Sequence, residues 1–104
     1  MPETLEWEGL PLDGLGNKTL GRVAGLQVDA GRPRWVLIRM GRLAGCTAIP
    51  FEHVAEGAGR LWAAYDRDSV REAPRLRPNE SLSRERELEL RSHWGINEPR
   101  RGGG

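Results

Sequence analysis

Few residues in this 104-residue chain have the types that chemistry needs. Cys46 and His53 are a thiol and an imidazole close together in sequence, the makings of a nucleophile and its base. Activating such a thiol takes an open, positively charged setting, whereas a cysteine in an apolar strand behaves as a small inert hydrophobe. Cys46 opens an apolar run and reads as core. His53 and His93 lie in separate segments, and neither has a further His or Cys at metal-ligand spacing. Asp66-x-Asp68 has the beginning of a calcium loop without its later ligands and glycine, and a helix cap explains Asp66 without a metal. Gly14-x-Gly16 and Gly57-x-Gly59 lack the Lys-Ser/Thr and following helix of a phosphate loop and read as turns. Glu85, Glu87 and Glu89 alternate with arginines, which predicts solvent-side ion pairs such as Glu87 with Arg91. No nucleophile, base and orienting group converge, so no catalytic residue, metal ligand or cofactor is assigned.

Binding leaves more traces than catalysis. Arg71, Arg75, Arg77, Arg84 and Arg86 form a local basic cluster fit for phosphate or an acidic protein surface. Glu72, Glu80 and Glu85 dilute that field, and the alternative is a solvated arginine face. Four tryptophans accompany one Tyr and one Phe. Some must fill the core, and others suit an interface, where tryptophan is favoured. The expected interaction surface comprises Trp7, Trp35, Leu37, Leu90 and Trp94.

Sixteen basic residues against fifteen acidic leave a net charge of +1, so bulk charge points to neither nucleic acid nor a membrane surface. One cysteine excludes an internal disulfide and a cysteine-based zinc cage. The first residues are acidic, without the basic and apolar regions of a signal peptide. No apolar stretch approaches the ~20 residues that span a bilayer. The expectation is a cytoplasmic protein of one domain.

The elements follow from periodicity. Residues 1–17 are an apolar leader, rich in glycine and proline, expected to lie on the domain or on a partner. Thr19 to Asp29 reads as a strand with internal glycines that allow bulges. After the turn at Asp29–Pro33, Arg34 to Arg39 is a second strand. Val36, Ile38 and Met40 share one of its faces, and Trp35, Leu37 and Arg39 share the other. Both faces need cover, the outer one from the leader, the C-terminal helix or a partner. Cys46 to Phe51 and Arg60 to Tyr65 are further strands, with Phe51 to Ala55 leading into a turn. Asp66 caps a short helix near 67–72 that Pro74 stops. Ser83 caps a helix near 84–94, with Gly95 as its left-handed end. On that helix Leu90 and Trp94 stack while Leu88 points away, so its apolar stripe is narrow. Residues 97–104 read as a flexible tail.

Gly21-x-Val23-x-Gly25-Leu26-x-Val28-Asp29, Ile49-Pro50, the run Tyr65-x-x-Asp68-x-Val70-x-x-Ala73-Pro74, and the ending His93-Trp94-Gly95 occur in that order. In this order and spacing, over about residues 18–96, the chain resembles the PRC-barrel family, named after the photosynthetic reaction centre. The resemblance implies a mainly β fold, a small, strongly curved, six-stranded barrel. Two of those strands then lie outside the four read above, with part of the leader, Leu43–Ala44 and the segment around Leu76 as candidates. It also implies a docking module rather than an enzyme. The family includes the cytoplasmic domain of the reaction-centre H subunit and the C-terminal domain of a ribosome-maturation factor. The chain lacks the former's membrane helix and the latter's N-terminal domain. The expected function is protein docking with self-association as a homodimer and an unidentified protein partner. An RNA- or ribosome-associated factor and a small-ligand carrier are the alternatives.

Overall fold

The computed structural model describes residues 7–41, 45–77 and 82–95. Six strands come first in chain order: β1 (Pro11–Asp13), β2 (Thr19–Asp29), β3 (Arg32–Arg39), β4 (Cys46–Pro50), β5 (Val54–Gly57) and β6 (Arg60–Ala63). Two helices follow, α1 (Arg67–Arg71) and α2 (Arg84–Trp94). The strands form one sheet in the order β4-β3-β2-β1-β6-β5. Only β1 and β6 run parallel; every other pair is antiparallel.

The β2–β3 hairpin is the spine of the sheet. Its two-residue turn places Ala30 at φ 53° and Gly31 at φ 79°, the left-handed pair that matches the twist of flanking strands. Two bulges interrupt the ladder, one at Ala24 on β2 and one at Arg34 on β3. Each adds a residue to one strand, so together they cancel and the pairing beyond them returns to its original register.

The two faces of β3 are used as the alternation predicts. Val36 and Ile38 enter the main core with Trp7, Leu12, Leu20, Val23, Ile49, Leu61, Ala63 and Val70. Trp35 enters a second cluster on the outer face with Ala48, Leu76 and Leu90, and Leu37 packs against it. The C-terminal helix therefore supplies the cover that the outer face requires.

Both helix starts behave as the sequence predicts. Asp66 accepts from the Ser69 N–H at 2.8 Å, and Ser83 Oγ accepts from the Arg86 N–H at 3.1 Å. Gly95 ends α2 at φ 72°.

Two strands lie outside the four read from periodicity, and one of them falls in the leader, as one of the candidates had it. The leader supplies β1, so residues 11–13 are a strand inside the sheet, between β2 and β6. Val54–Gly57, read as the approach to a turn, is β5. Leu76 contributes one bridge to Cys46 rather than a strand. Leu43–Ala44 and the tail 97–104 lie outside the described residues. The sheet is not closed: β4 and β5 are its edges, joined in sequence by a short 3-10 turn, Phe51–His53, with no ladder between them among the described residues.

The edge of β4 is nonetheless covered. The Cys46 carbonyl accepts from the Leu76 N–H at 2.8 Å. The Ala48 carbonyl accepts from Trp94 Nε1 at 2.9 Å. Between them, the Thr47 hydroxyl donates to the Pro74 carbonyl at 2.7 Å. Backbone groups at a sheet edge are open to another chain unless something occupies them.

Leu90 is fully buried while Leu88, on the same helix, is exposed. Truncating Leu90 to Ala should lower stability by about 2–5 kcal/mol, and Leu88→Ala by less than about 0.5 kcal/mol. Urea denaturation of the two variants checks this, and equal losses would refute the packing of α2 described above.

Candidate functional site

Cys46 and His53 are not brought together. Cys46 opens β4, buried beneath Leu76, and His53 lies in the turn beyond the other end of that strand. His53 Nδ1 instead meets the Tyr65 hydroxyl. Partial burial raises the pKa of that phenol, which keeps its proton for the contact at neutral pH. His93 Nε2 donates to the Ser69 carbonyl at 2.7 Å and so ties the end of α2 to α1. Asp66 is committed to its cap. No group of three His, Cys, Asp or Glu among the described residues is placed to hold a metal ion.

The other sequence candidates also find structural roles. A Cβ on Gly14 would stand 2.3 Å from the Tyr65 carbonyl oxygen, so that glycine permits a close backbone approach. Gly59 and Ala58 form a left-handed turn between β5 and β6. Glu87 pairs with Arg91 at 3.1 Å as expected, and it also accepts from Trp35 Nε1 at 3.4 Å.

The expected apolar interaction surface lies mostly inside the protomer. Trp7, Trp35 and Leu90 are buried, and Leu37 and Trp94 are half-buried. Trp7 stacks on Phe51 with ring centroids 5.2 Å apart, and Trp94 packs on Tyr65 at 4.3 Å. Apolar residues on both faces of β3 needed a cover, and α2 supplies it internally.

Trp62 is the tryptophan that the sequence reading left aside, and it is 45% exposed. It stands on β6 opposite Ala55 of β5 and Asp13 of β1. Arg60, two positions earlier on the same face, holds Asp13 at 2.6 Å. Leu61 and Ala63 alternate with Trp62 and fill the core, so this exposed face is the outer one.

The arginines of the expected basic cluster lie on α1, on α2 and between them. Arg71, Arg75, Arg77 and Arg84 are exposed, and Arg86 pairs with Glu89 at 3.0 Å. A different basic group is better organised. Arg22 and Arg39 are directly opposite each other across β2 and β3, and Cys46 of β4 continues the row. With Arg67 they line an open groove of about 710 Å³ whose lining includes Leu20 and Met40. The sequence holds a signal for this row. Counting back from a two-residue turn at Ala30–Gly31 sets Arg22 against Arg39, and the paired bulges leave that count intact.

No helix among the described residues is long and apolar enough to cross a membrane. No protein-family model matches the chain, and no curated protein matches it significantly.

The Asp66 cap makes a pH prediction. The Ser69 hydrogen bonds hold the Asp66 carboxyl below its ordinary pKa. A depressed folded pKa means that the cap's contribution is full above the unfolded value and is lost as pH falls through the folded one. In NMR titrations the Ser69 amide should shift with a midpoint below the usual aspartate range, and Asp66→Asn should abolish that step while retaining a capping oxygen. A midpoint at or above the ordinary aspartate value would refute the arrangement.

Proposed function

We propose that this chain is a cytoplasmic, non-enzymatic docking module of the PRC-barrel type that self-associates and binds a further protein partner. One observation carries the docking reading: α2 covers the outer face of β3 and β4, while Trp62 stands exposed on the outer face of β6. An accessible tryptophan bordered by polar groups, here the Arg60–Asp13 ion pair, has the arrangement of an interface anchor with a polar rim.

The strand order supports the barrel relation. Counting β4 and β5 as neighbours turns β4-β3-β2-β1-β6-β5 into a ring. The Phe51–His53 turn makes them consecutive in the chain. The Asp66-capped helix stopped at Ala73–Pro74 is a further point of likeness.

In the self-associated form, Trp62 of one protomer packs on the same face of a second copy about a two-fold axis, which makes the contact isologous. Size-exclusion chromatography with light scattering should show a dimer at high concentration. Trp62→Ser should give a monomer with a nearly unchanged melting temperature, because the side chain is far from fully buried. A wild-type monomer at every concentration would sink the self-association. Affinity capture from host lysate, with and without ribonuclease, addresses the further partner. A protein retained under both conditions supports docking, and ribosomal proteins lost with ribonuclease would replace it with an RNA-associated role.

A further inference from the structure

Arg22 and Arg39 are cross-strand neighbours of like charge, a pairing that weakens a sheet when nothing lies between them. Neither has a carboxylate partner among the described residues. Arg22 donates to the Gly9 carbonyl at 3.0 Å, and Arg39 makes no hydrogen bond or ion pair there. Arg67 donates from Nε to the Thr19 carbonyl at 3.3 Å and lines the same groove. None of the described residues lining the groove is acidic, although the chain holds fifteen acidic residues. Four arginines elsewhere meet carboxylates: Arg60 with Asp13, Arg34 with Asp29, Arg86 with Glu89 and Arg91 with Glu87. The groove is where three cations gather without one.

We infer that the groove formed by Leu20, Arg22, Arg39, Met40 and Arg67 receives an acidic polypeptide segment of a partner protein. An apolar side chain of that segment rests on Leu20 and Met40, and flanking carboxylates meet the guanidinium groups. This inference rests on the docking reading above. Guanidinium presents paired N–H donors that match a carboxylate in two-point contact. Leu20 is buried and Met40 half-buried, so the groove offers apolar lining beside charge, the mixture that peptide recognition uses. Nucleic acid fits less well. A polyanion is held by many phosphate contacts along an extended basic track, and single strands by stacking on aromatic rings. The groove presents three arginines and no aromatic side chain among its described lining residues. Arg75 lies beside Gly45 at its rim and adds one more cation to the same end of the sheet.

The test uses the full chain and a fluorescent peptide with a central leucine between glutamate pairs, beside labelled oligouridylate. The peptide should bind saturably by fluorescence anisotropy and shift the backbone amides of Arg22, Arg39 and Met40. Binding should fall by roughly tenfold or more in R22Q/R39Q, since charge-assisted bonds are lost, and should be unchanged in Arg71→Gln. Arg39→Gln alone removes no bond within the described chain, so it reports on binding without disturbing the fold, and it should weaken binding several-fold. Absence of saturable peptide binding overturns the inference, as does binding indifferent to both groove variants. Oligouridylate shifting these amides in place of the peptide reassigns the groove to nucleic acid. The Trp62→Ser dimer assay reports separately. A groove that fails beside a Trp62-dependent dimer removes this inference alone, and a groove that binds beside an invariant monomer removes the self-association alone.

Discussion

The indole N–H of Trp94 on the Ala48 carbonyl joins the last turn of α2 to the outer edge of β4. Much of the structure depends on that contact. Trp94 packs against both apolar clusters, the one inside the sheet and the one beneath the helix. Its ring lies against Tyr65, and its neighbour His93 reaches back to Ser69 of α1. Trp94 and its neighbour His93 together hold an edge strand, two helices and two cores in a fixed relation. A helix with a narrow apolar stripe gains little from burial alone, so the directional bond matters more here than on a broadly amphipathic helix. The left-handed Gly95 ends the helix immediately after this anchor.

What was legible in the sequence was whatever depends on near neighbours. The β2–β3 hairpin declared itself through alternation and a Gly-containing turn. Asp66, Ser83 and Gly95 marked helix ends because capping is set within a few residues. Strand β1 was illegible as a strand because three residues carry too short a period. Its parallel pairing with β6 depends on chain far away in sequence. Strand β5 was hidden because its residues are largely exposed and lack an apolar alternation. The same limit governs the site. The arginines that cluster in sequence, from Arg71 to Arg86, are spread over two helices and their connection. The arginines that cluster in space, Arg22, Arg39 and Arg67, come from three separate elements. Trp35 looked suited to an interface because composition alone cannot say which side of a strand a helix will cover, and Trp7 because nothing near it in sequence marks its stacking on Phe51.

The two halves of the sheet are treated differently, and that asymmetry shapes the functional reading. Over β3 and β4 the outer face is sealed by Leu76, Leu90 and Trp94, and the β4 edge has its carbonyls occupied. On β6 the outer face carries an accessible tryptophan beside an ion pair. The sealed half keeps its hydrogen-bonding groups from other chains, and the other half leaves apolar surface available.

The cancelling bulges at Ala24 and Arg34 also constrain how this hairpin can vary in length. Strand side chains alternate with a period of two, so a one-residue deletion at a regularly paired position would send every residue beyond it to the opposite face. Ala24 is itself the extra residue, so its loss alone would remove that bulge and leave Val23 opposite Ile38 and Arg22 opposite Arg39. Loss of Arg34 as well would remove both bulges and still leave Val23 facing Ile38. Single-residue length changes should therefore be tolerated at the two bulged positions, while one at a regularly paired position should survive only with a new bulge nearby.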